Sequence, residues 1–371
     1  MIIGIDASVL AKSNAGISTY IRIIIEYLMK EDKDNIYYLY INKNSNISIP
    51  LTKNFIVKKY DAIVPSLYIR YKLHKDLIKD KVDLFWGPAH VLPKKRKEYK
   101  MVLTIHDLVF KKFKSTAQLK NRILLNLVCK PSIKDADKII AISNSTKKDI
   151  IEEYKVNPKK IELIYNGYES HSVLPSKEQI ENTKKKFNIN NKFLLFISTI
   201  EPRKNIPHLI QAFDIYKEKN KSNYQLVIAG GLGWKYEESL EAVKKSKYSQ
   251  DIICTGFVSQ EEKSVLYSQT ELVLFVSLYE GFGFPVLEGL SYDKNVLTSK
   301  VSSMPEIGQD ACYYVNNPND PKEIAKMIDV AIKNTKGITS DKRKEQIGKF
   351  PLSKCAAHTY KLFKNLIGEN E

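Results

Sequence analysis

Cysteine is scarce in this chain of 371 residues, which holds only Cys129, Cys254, Cys312 and Cys355. None of the four forms a Cys-x-x-Cys pair or a cluster with histidine, so the sequence indicates neither a zinc site nor a disulfide framework. We interpret each thiol as a small core residue in a reducing compartment.

Long apolar runs are missing as well. No run approaches the roughly 20 residues that cross a bilayer as a helix. The N-terminal stretch MIIGIDASVL lacks the basic segment and the cleavage site of a signal peptide, and it is typical of a buried first strand. We therefore expect a cytoplasmic protein.

Acidic residues are outnumbered, because 59 lysines and arginines against 42 acidic residues give a net charge of +17. No helix-turn-helix, zinc-finger or aromatic RNA-binding motif accompanies this charge, so we predict no nucleic-acid partner. Two explanations of the charge stay open. The protein could contact an anionic membrane surface peripherally, or its surface could simply be rich in solvated lysines. Basic and aromatic residues that would suit a membrane lie in 66–81, 94–97 and 111–114.

Short apolar runs recur along the chain, each followed by a helical pattern. Runs without strict alternation indicate parallel strands that helices cover on both faces. The two halves of the chain therefore predict two doubly wound α/β units. The predicted strands are 2–6, 36–41, 55–60, 83–86, 101–106, 138–143 and 161–166, then 193–198, 225–230, 251–256, 271–276, 295–299 and 312–315.

A polar, proline-containing stretch separates these two sets of strands. We place a hinge at 168–176 and a helix at 177–187 that opens the second domain. The predicted domains are 1–172 and 173–352, with a last helix in 353–371 that packs back on the first domain. Because ligands of open α/β sheets bind beyond the carboxyl ends of strands, residues just after each strand are the functional candidates.

The turn TIEPRKN follows strand 193–198 and contains Arg203 and Lys204, with Asn205 as a candidate N-cap of the next helix. An arginine binds an anion bidentately, a lysine acts as a point charge, and a helix N-terminus adds favourable potential. This combination suits a diphosphate. A solvated basic turn is the equally weighted alternative.

A glycine-rich stretch, SLYEGFGFPVLEGL, follows the apolar run ELVLFV. Gly281 and Gly283 would let backbone amides approach an anion, and Pro285 suits the first helical turn. Glu280 and Glu288 have the spacing that would let one carboxylate bind ribose hydroxyls and the other sugar hydroxyls. A carboxylate that complements the helix dipole would also explain Glu288, and a lone GxG is weak evidence.

Polar residues follow three strands of the first half too. Gly16 begins a helix after strand 2–6, where it could approach phosphates or serve as an ordinary turn glycine. His106, followed by Asp107, could donate a hydrogen bond to a sugar hydroxyl, or the two could form a satisfied polar pair. His90 follows strand 83–86, and we take His90 and Asp107 as acceptor-side candidates.

Eight motifs together resemble the retaining glycosyltransferases of family GT4: NAGIS, TIHDL, ADKIIAIS, TIEPRKN, IAGGLGW, TGFVS, SLYEGFGFPVLEG and SSMPEIGQDACYYV. They occur in the family's order over essentially the whole chain. The resemblance implies the GT-B fold, an α/β architecture of two doubly wound, Rossmann-like domains facing across a cleft. It implies transfer of a hexose from a nucleotide-sugar to a glycan or lipid-linked glycan.

The TIEPRKN and HDL forms are most similar to the mannosyltransferase-type branch that builds bacterial O-antigen and capsular chains. This similarity favours GDP-mannose as the donor, with a UDP-sugar as the alternative. No cofactor is implied.

The resemblance also assigns roles to residues of the second domain. Arg203 and Lys204 would hold the donor diphosphate, and Glu288 would bind the ribose. Glu280 would engage the donor sugar and phosphate together with backbone amides. Those amides belong to Gly281, Phe282, Gly283 and Phe284.

Further roles fall on other loops. His106 would contact the sugar near its 6-hydroxyl, and Gly16 would approach the phosphate from the first domain. The nucleobase would be bordered by Gly256, Phe257 and Val258. The chain departs from the family's pattern in NAGISTY, which lacks a basic residue after its glycine, and in 350–352, where an aromatic pair is common.

We predict a metal-independent, retaining mechanism. Asp135 and Asp137 spell the DAD pattern of metal-binding glycosyltransferases, but they precede strand 138–143, at the wrong end for a ligand. No carboxylate nucleophile is placed for a double displacement, so front-face transfer is inferred, with the leaving diphosphate helping to deprotonate the acceptor.

Rival functions include an epimerase and a nucleic-acid-binding protein. A two-Rossmann sugar-nucleotide epimerase would turn over its donor without an acceptor, but it lacks the pairing of EPRKN with E-x7-E. A basic nucleic-acid-binding protein would bind DNA with steep salt dependence, but it gives no reason for Glu280 and Glu288 in a cleft.

Overall fold

The computed structural model describes residues 1–10, 16–47, 49–113, 119–169, 174–334 and 337–368. The chain forms two compact units. The first comprises Met1–Lys114, Leu119–Gly167 and Phe350–Glu371, and the main segment of the second is Tyr168–Lys349.

The first unit is built on seven strands: β1 (Ile2–Asp6), β2 (Ile36–Asn42), β3 (Phe55–Tyr60), β4 (Leu84–Gly87), β5 (Lys100–Ile105), β6 (Lys138–Ala141) and β7 (Ile161–Leu163). They form one sheet in the order β3-β2-β1-β4-β5-β6-β7. All pairings are parallel, and Ile3 of β1 pairs with Tyr37 of β2 on one side and Leu84 of β4 on the other.

Helices cover both faces of this sheet. They are α1 (Gly16–Glu31), α2 (Pro65–Tyr71), α3 (His74–Lys79), α4 (Val109–Lys112), α5 (Leu119–Asp135) and α6 (Asn144–Tyr154). Alternate strand residues enter two different cores: Leu84 and Trp86 pack with α1, whereas Phe85 and Leu103 pack on the other side. Burial on both faces explains why these strands read as continuous apolar runs.

The second unit has six strands: β8 (Phe193–Ile197), β9 (Gln225–Ala229), β10 (Ile252–Gly256), β11 (Leu272–Phe275), β12 (Asn295–Ser299) and β13 (Tyr313–Val315). They form a second parallel sheet in the order β10-β9-β8-β11-β12-β13. Its helices are α7 (Lys177–Lys186), α8 (Ile206–Asn220), α9 (Glu237–Lys245), α10 (Gln260–Gln269), α11 (Phe284–Ser291), α12 (Met304–Gly308), α13 (Pro321–Lys333) and α14 (Ser340–Gly348).

Every predicted strand is present, which confirms the two doubly wound α/β units. Some strands end earlier than their apolar runs do. The run 138–143 ends as a strand at Ala141 because Ser143 becomes the N-cap of α6, its hydroxyl accepting a hydrogen bond from Thr146 N at 3.0 Å.

The last helix, α15 (Leu352–Ile367), belongs to the first unit and packs against α1. The first unit resumes at Phe350, earlier than the predicted end of the second domain at residue 352, because Phe350 is buried and its ring lies 5.4 Å from that of Tyr165. The units divide between Gly167 and Tyr168. The predicted boundary at 172/173 lies outside the described residues.

Candidate functional site

The main candidate site lies at the carboxyl edge of the second sheet. Strands β8 and β11 are neighbours there, and the chain proceeds from β8 to β9 on one side and from β11 to β12 on the other. A sheet whose winding reverses in this way leaves a crevice between the two loops, which is where such folds bind ligands.

Three charged side chains meet at this edge. Arg203 and Lys204 end the short 3-10 turn after β8, and Glu280 lies in the loop after β11. Glu280 Oε2 is 2.5 Å from Arg203 Nη1, and its Oε1 is 2.6 Å from Lys204 Nζ. The structure thus brings together the predicted diphosphate-binding and sugar-binding residues, as an ion-pair cluster.

Burial controls the ionisation of this cluster. Glu280 and Lys204 are 7% and 5% exposed. Burial alone would raise the pKa of Glu280, but the charges of Arg203 and Lys204 outweigh it and lower the pKa to about 2. Burial lowers the pKa of Lys204, and Glu280 opposes that shift. The carboxylate is therefore fully ionised at neutral pH and anchors two cations.

The glycine-rich loop is held by two serines that the sequence reading did not single out. Glu280 N donates to Ser302 Oγ at 2.9 Å, and the buried Ser303 hydroxyl lies within hydrogen-bond distance of the carbonyl oxygens of Glu280 and Phe282. Gly283 has φ 112°, a conformation that favours glycine, and begins α11 with Pro285 in its first turn. Both serines belong to the motif SSMPEIGQD, and this motif is the only sequence feature that could have pointed to them.

Glu288 lies one turn into α11 and is held by two residues of α10. Lys263 Nζ is 2.5 Å from its Oε1, and Tyr267 Oη donates to its Oε2 at 2.7 Å. Lys263 and Tyr267 are one helical turn apart, which lets both reach the same carboxylate. Glu288 therefore links α11 to α10.

Asn205 stands at the N-cap position of α8, as predicted, but its side chain does not make the expected capping hydrogen bond. The residue is in a left-handed conformation with φ 64°. Its amide instead donates to the carbonyl oxygens of Val276 and Pro318, at 3.1 and 2.6 Å. Asn205 thereby ties the loop after β8 to the end of β11.

The residues predicted to border a nucleobase lie at the end of β10 and directly after it, with Gly256 as the last residue of the strand. Gly256 has φ 70°, and Phe257 is 85% exposed. Val258 is partly exposed.

The first unit brings its own candidates to one sheet edge, since β1, β4 and β5 are neighbours. His106 is buried, and its ring lies 5.0 Å from that of Tyr20 and 5.7 Å from that of His90. Burial, reinforced by His90, lowers the pKa of His106 to about 4, so the ring is neutral at pH 7. Gly16 begins α1, after residues that lie outside the described part.

The hydrogen bonding of His106 indicates which of its two ring nitrogens carries the proton. Its Nε2 lies 2.8 Å from the carbonyl oxygen of Pro88, which can only accept. In the neutral ring the proton is therefore on Nε2. This tautomer leaves Nδ1 as a hydrogen-bond acceptor, whereas the sequence predicts that His106 donates to a sugar hydroxyl. Its contact with a sugar stays a prediction.

His90 and Asp107 are placed differently. His90 has φ 66°, and its buried Nδ1 has no hydrogen-bond partner among the described residues. Burial lowers the pKa of His90, opposed by Asp107. The Asp107 carboxylate accepts from Val109 N at 3.1 Å, so it caps the start of α4.

The DAD motif lies at the amino edge of the first sheet, as predicted. Asp135 ends α5 and pairs with Arg70 at 2.6 Å, while Asp137 pairs with Lys95 at 2.9 Å. Among the described residues no cluster of three or more His, Cys, Asp or Glu side chains could hold a metal ion. Within the same part of the chain no helix is long and apolar enough to cross a membrane.

Two family models match the chain, "Glycosyltransferase Family 4" over residues 16–171 and "Glycosyl transferases group 1" over residues 178–349. The crystal structure of a glycosyltransferase from Rickettsia africae superposes with a TM-score of 0.74 at 17% identity, covering 100% of this chain and 99% of that one. This likeness confirms the GT-B fold class.

Two relatives from Escherichia coli are similar in sequence. The serotype-specific mannosyltransferase WbdA is 32% identical over 207 residues, which is 53% of this chain and 24% of WbdA. O-antigen chain mannosyltransferase B is 31% identical over 176 residues, 47% of this chain and 46% of the relative. The chain thus matches less than half the length of either relative.

By its two matching domains, the chain belongs to the GT4-type glycosyltransferases, with a family 4 domain followed by a group 1 domain.

Proposed function

We propose that this protein transfers mannose from GDP-mannose to a growing, lipid-linked glycan of the cell surface. The observation that carries the proposal is the buried cluster of Arg203, Lys204 and Glu280 at the point where the second sheet reverses. The names of the two Escherichia coli mannosyltransferases support mannose as the sugar and a surface glycan as the product.

In this proposal Arg203 and Lys204 bind the donor diphosphate and stabilise the charge that develops when the bond to the sugar breaks. Both cations are already held in place by Glu280, so little reorganisation is needed during the reaction. The amino end of α11 lies beside them and adds favourable potential for an anion.

Transfer proceeds in this proposal with retention at the anomeric carbon. Glu280 would be a poor nucleophile for a double displacement, because its two oxygens are engaged by Arg203 and Lys204. The acceptor hydroxyl would attack on the face that the diphosphate leaves, and the proton would pass to the leaving diphosphate.

We also propose that no metal ion takes part. Two cationic side chains stand at the edge where the diphosphate would lie. The DAD carboxylates are engaged by Arg70 and Lys95 at the other edge of the first sheet. Activity that survives dialysis against EDTA and is not raised by Mg²⁺ or Mn²⁺ would support this part, and restoration by added metal would refute it.

The acceptor side is proposed to meet an anionic membrane surface. Lys72, Lys75 and Lys79 are exposed on and beside α2 and α3, close in sequence to Tyr71 and Ile78, which are 54% and 40% exposed. Basic and apolar side chains together suit an anionic bilayer. Not every basic segment contributes, because Lys112 pairs with Asp149. Lys114 lies outside the described residues.

Co-sedimentation with vesicles containing phosphatidylglycerol tests the membrane contact. Binding at low salt that is lost at high salt supports it, because exposed charges are screened. Replacing Lys72, Lys75 and Lys79 together by glutamine should weaken it. Absence of binding at low salt would refute this part of the proposal.

The donor is tested by thermal-shift measurements with GDP, UDP, ADP and dTDP, because a ligand that binds only the native state raises the melting temperature. GDP should give the largest shift, and GDP-mannose should then be consumed with an acceptor extract. A larger shift with UDP would favour the UDP-sugar alternative. Donor conversion without any acceptor would favour the epimerase.

A further inference from the structure

A carboxylate outside the predicted site holds the arginine of the diphosphate-binding cluster. Glu201 precedes the 3-10 turn Pro202–Lys204 and makes no capping hydrogen bond to it. Its Oε1 lies 2.5 Å from Arg203 Nε, and its Oε2 accepts from Trp234 Nε1 at 2.8 Å. Glu201 itself is only 9% exposed.

The loop after β9 places Trp234 beside the Glu201 carboxylate. Gly230 has φ 143°, and a Cβ there would lie 2.0 Å from Ser198 O. A Cβ on Gly233 would lie 2.8 Å from Ile200 O. Backbone hydrogen bonds join Ile200 to Gly231 and Gly233, both at 2.9 Å. Glycines thus let this loop pack directly against the loop that carries Glu201 and Arg203.

The Arg203 guanidinium is consequently held from two sides. Glu201 contacts Nε, while Nη1 donates to Glu280 Oε2 at 2.5 Å and to Tyr279 O at 3.1 Å. Because the guanidinium group is planar, contacts at Nε and Nη1 together fix its orientation as well as its position.

We propose that Glu201 and Trp234 are positioning residues, which set the orientation of Arg203 for a nucleoside diphosphate before the donor binds. The inference rests on the proposed function, since it concerns how the leaving diphosphate is stabilised. Trp234 restrains Glu201, Glu201 restrains Arg203, and Arg203 contacts the diphosphate. A group oriented in advance stabilises developing charge without reorganising during the reaction.

A different explanation is that Glu201 merely neutralises Arg203. The two explanations differ in what they expect of Trp234→Phe, which removes one N–H donor and leaves every charge in place. Simple neutralisation predicts normal turnover for this variant. Positioning predicts a loss of turnover, because the Glu201 carboxylate becomes free to move.

The experiment measures kcat and KM for GDP-mannose in Glu201→Gln and Trp234→Phe, with Glu238→Gln as the matched control. Glu238 is exposed on the first turn of α9, so this control makes the same chemical and charge change away from Arg203. We expect kcat to fall about tenfold in Glu201→Gln and severalfold in Trp234→Phe, with KM within about twofold, as for a lost transition-state interaction. The control should match wild type.

One further measurement separates positioning from lost stability. In an Arg203→Lys background, which lacks the planar group, Glu201→Gln should cause no further loss of kcat. A general loss of stability would lower kcat in this background as well.

Each outcome has a defined meaning. Wild-type kcat in Trp234→Phe, or full additivity of Glu201→Gln with Arg203→Lys, would overturn the positioning role and leave the proposed function intact. A wild-type protein that neither binds GDP or UDP nor turns over a sugar nucleotide would overturn the proposed function, and the inference with it.

Discussion

Lys204 and Glu280 form an ion pair with 2.6 Å between Nζ and Oε1, although 76 residues separate them in the sequence and both side chains are buried. Burying such a pair is costly in itself, so it is weak evidence for stability. Its position at the carboxyl edge of β8 and β11 is where the proposed donor diphosphate would bind.

The first prediction concerns the two cations. Replacing Arg203 or Lys204 by alanine should lower turnover roughly 10²–10³-fold, the cost of losing one preorganised group that stabilises an anion. Turnover is measured with GDP-mannose, and circular dichroism checks that the fold survives. Lys300→Ala is the control, because Lys300 is an exposed lysine that also follows a strand. Near-normal turnover in both variants would contradict the assignment.

Acid should act on stability through Glu280. Its pKa lies at about 2 in the folded protein against 4.5 for an unperturbed glutamate. A lowered folded pKa means that the stabilisation is fully present above pH 4.5 and is lost as the pH falls toward 2. Urea unfolding should therefore show that Glu280→Gln is less sensitive to acid in this window than wild type. Parallel curves for the two proteins would rule out this contribution.

His106 should produce a separate loss of stability at higher pH. Its pKa is lowered from 6.5 to about 4, and His90 and Asp107 are the titratable groups that act on it. Folding favours the neutral ring, so stability is retained above pH 6.5 and lost as the pH falls toward 4. In His106→Gln the slope of stability against pH between these values should decrease. An unchanged slope would show that other groups govern this range.

The backbone of the glycine-rich loop gives a prediction about stability. Gly283 has φ 112° and ψ 49°, which a residue with a Cβ adopts only under strain. Gly283→Ala should lower the free energy of unfolding by roughly 1–3 kcal/mol, the usual cost of such strain. Gly256→Ala, at φ 70°, should cost less, because this value lies closer to the left-handed region that other residues reach. Equal losses in urea unfolding would contradict the argument.

Glu288 is predicted to bind ribose hydroxyls. In Glu288→Gln the Kd for GDP should rise about tenfold or more, because hydrogen bonds to a charged group are the strong ones. Wild type should bind GDP more tightly than its 2′,3′-dideoxy analogue, and the variant should bind both alike. Calorimetry makes this comparison. A preference that persists in Glu288→Gln would place the ribose elsewhere.

Much of the fold could be predicted because its signals are local. The central strands of the two sheets are short apolar runs such as FLLFI at β8, buried on both faces where helices cover the sheet. The rule that ligands bind at carboxyl ends then selected Arg203, Lys204 and Glu280 before any contact was known. The ends of elements were less predictable. The apolar run of β6 continues beyond Ala141, but the strand ends there because Ser143 becomes the N-cap of α6.

Other features could not be read from the sequence, because they depend on which distant side chains meet. Asn205 is a residue type that favours the N-cap, yet its Oδ1 lies 2.7 Å from His208 Nδ1, while its amide group donates to the carbonyl oxygens of Val276 and Pro318. Glu201 reads as an ordinary turn residue until Trp234, 33 residues later, is seen against it.

The sequence by itself determined two parallel α/β units and the loops that carry charge, because hydrophobic periodicity and strand-end residues are properties of single segments. The tertiary structure decided that Glu280 binds both Arg203 and Lys204, that Glu288 is held by Lys263 and Tyr267, and that Nε2 of His106 lies against the carbonyl oxygen of Pro88. These outcomes depend on distances between segments far apart in the chain, which only folding fixes.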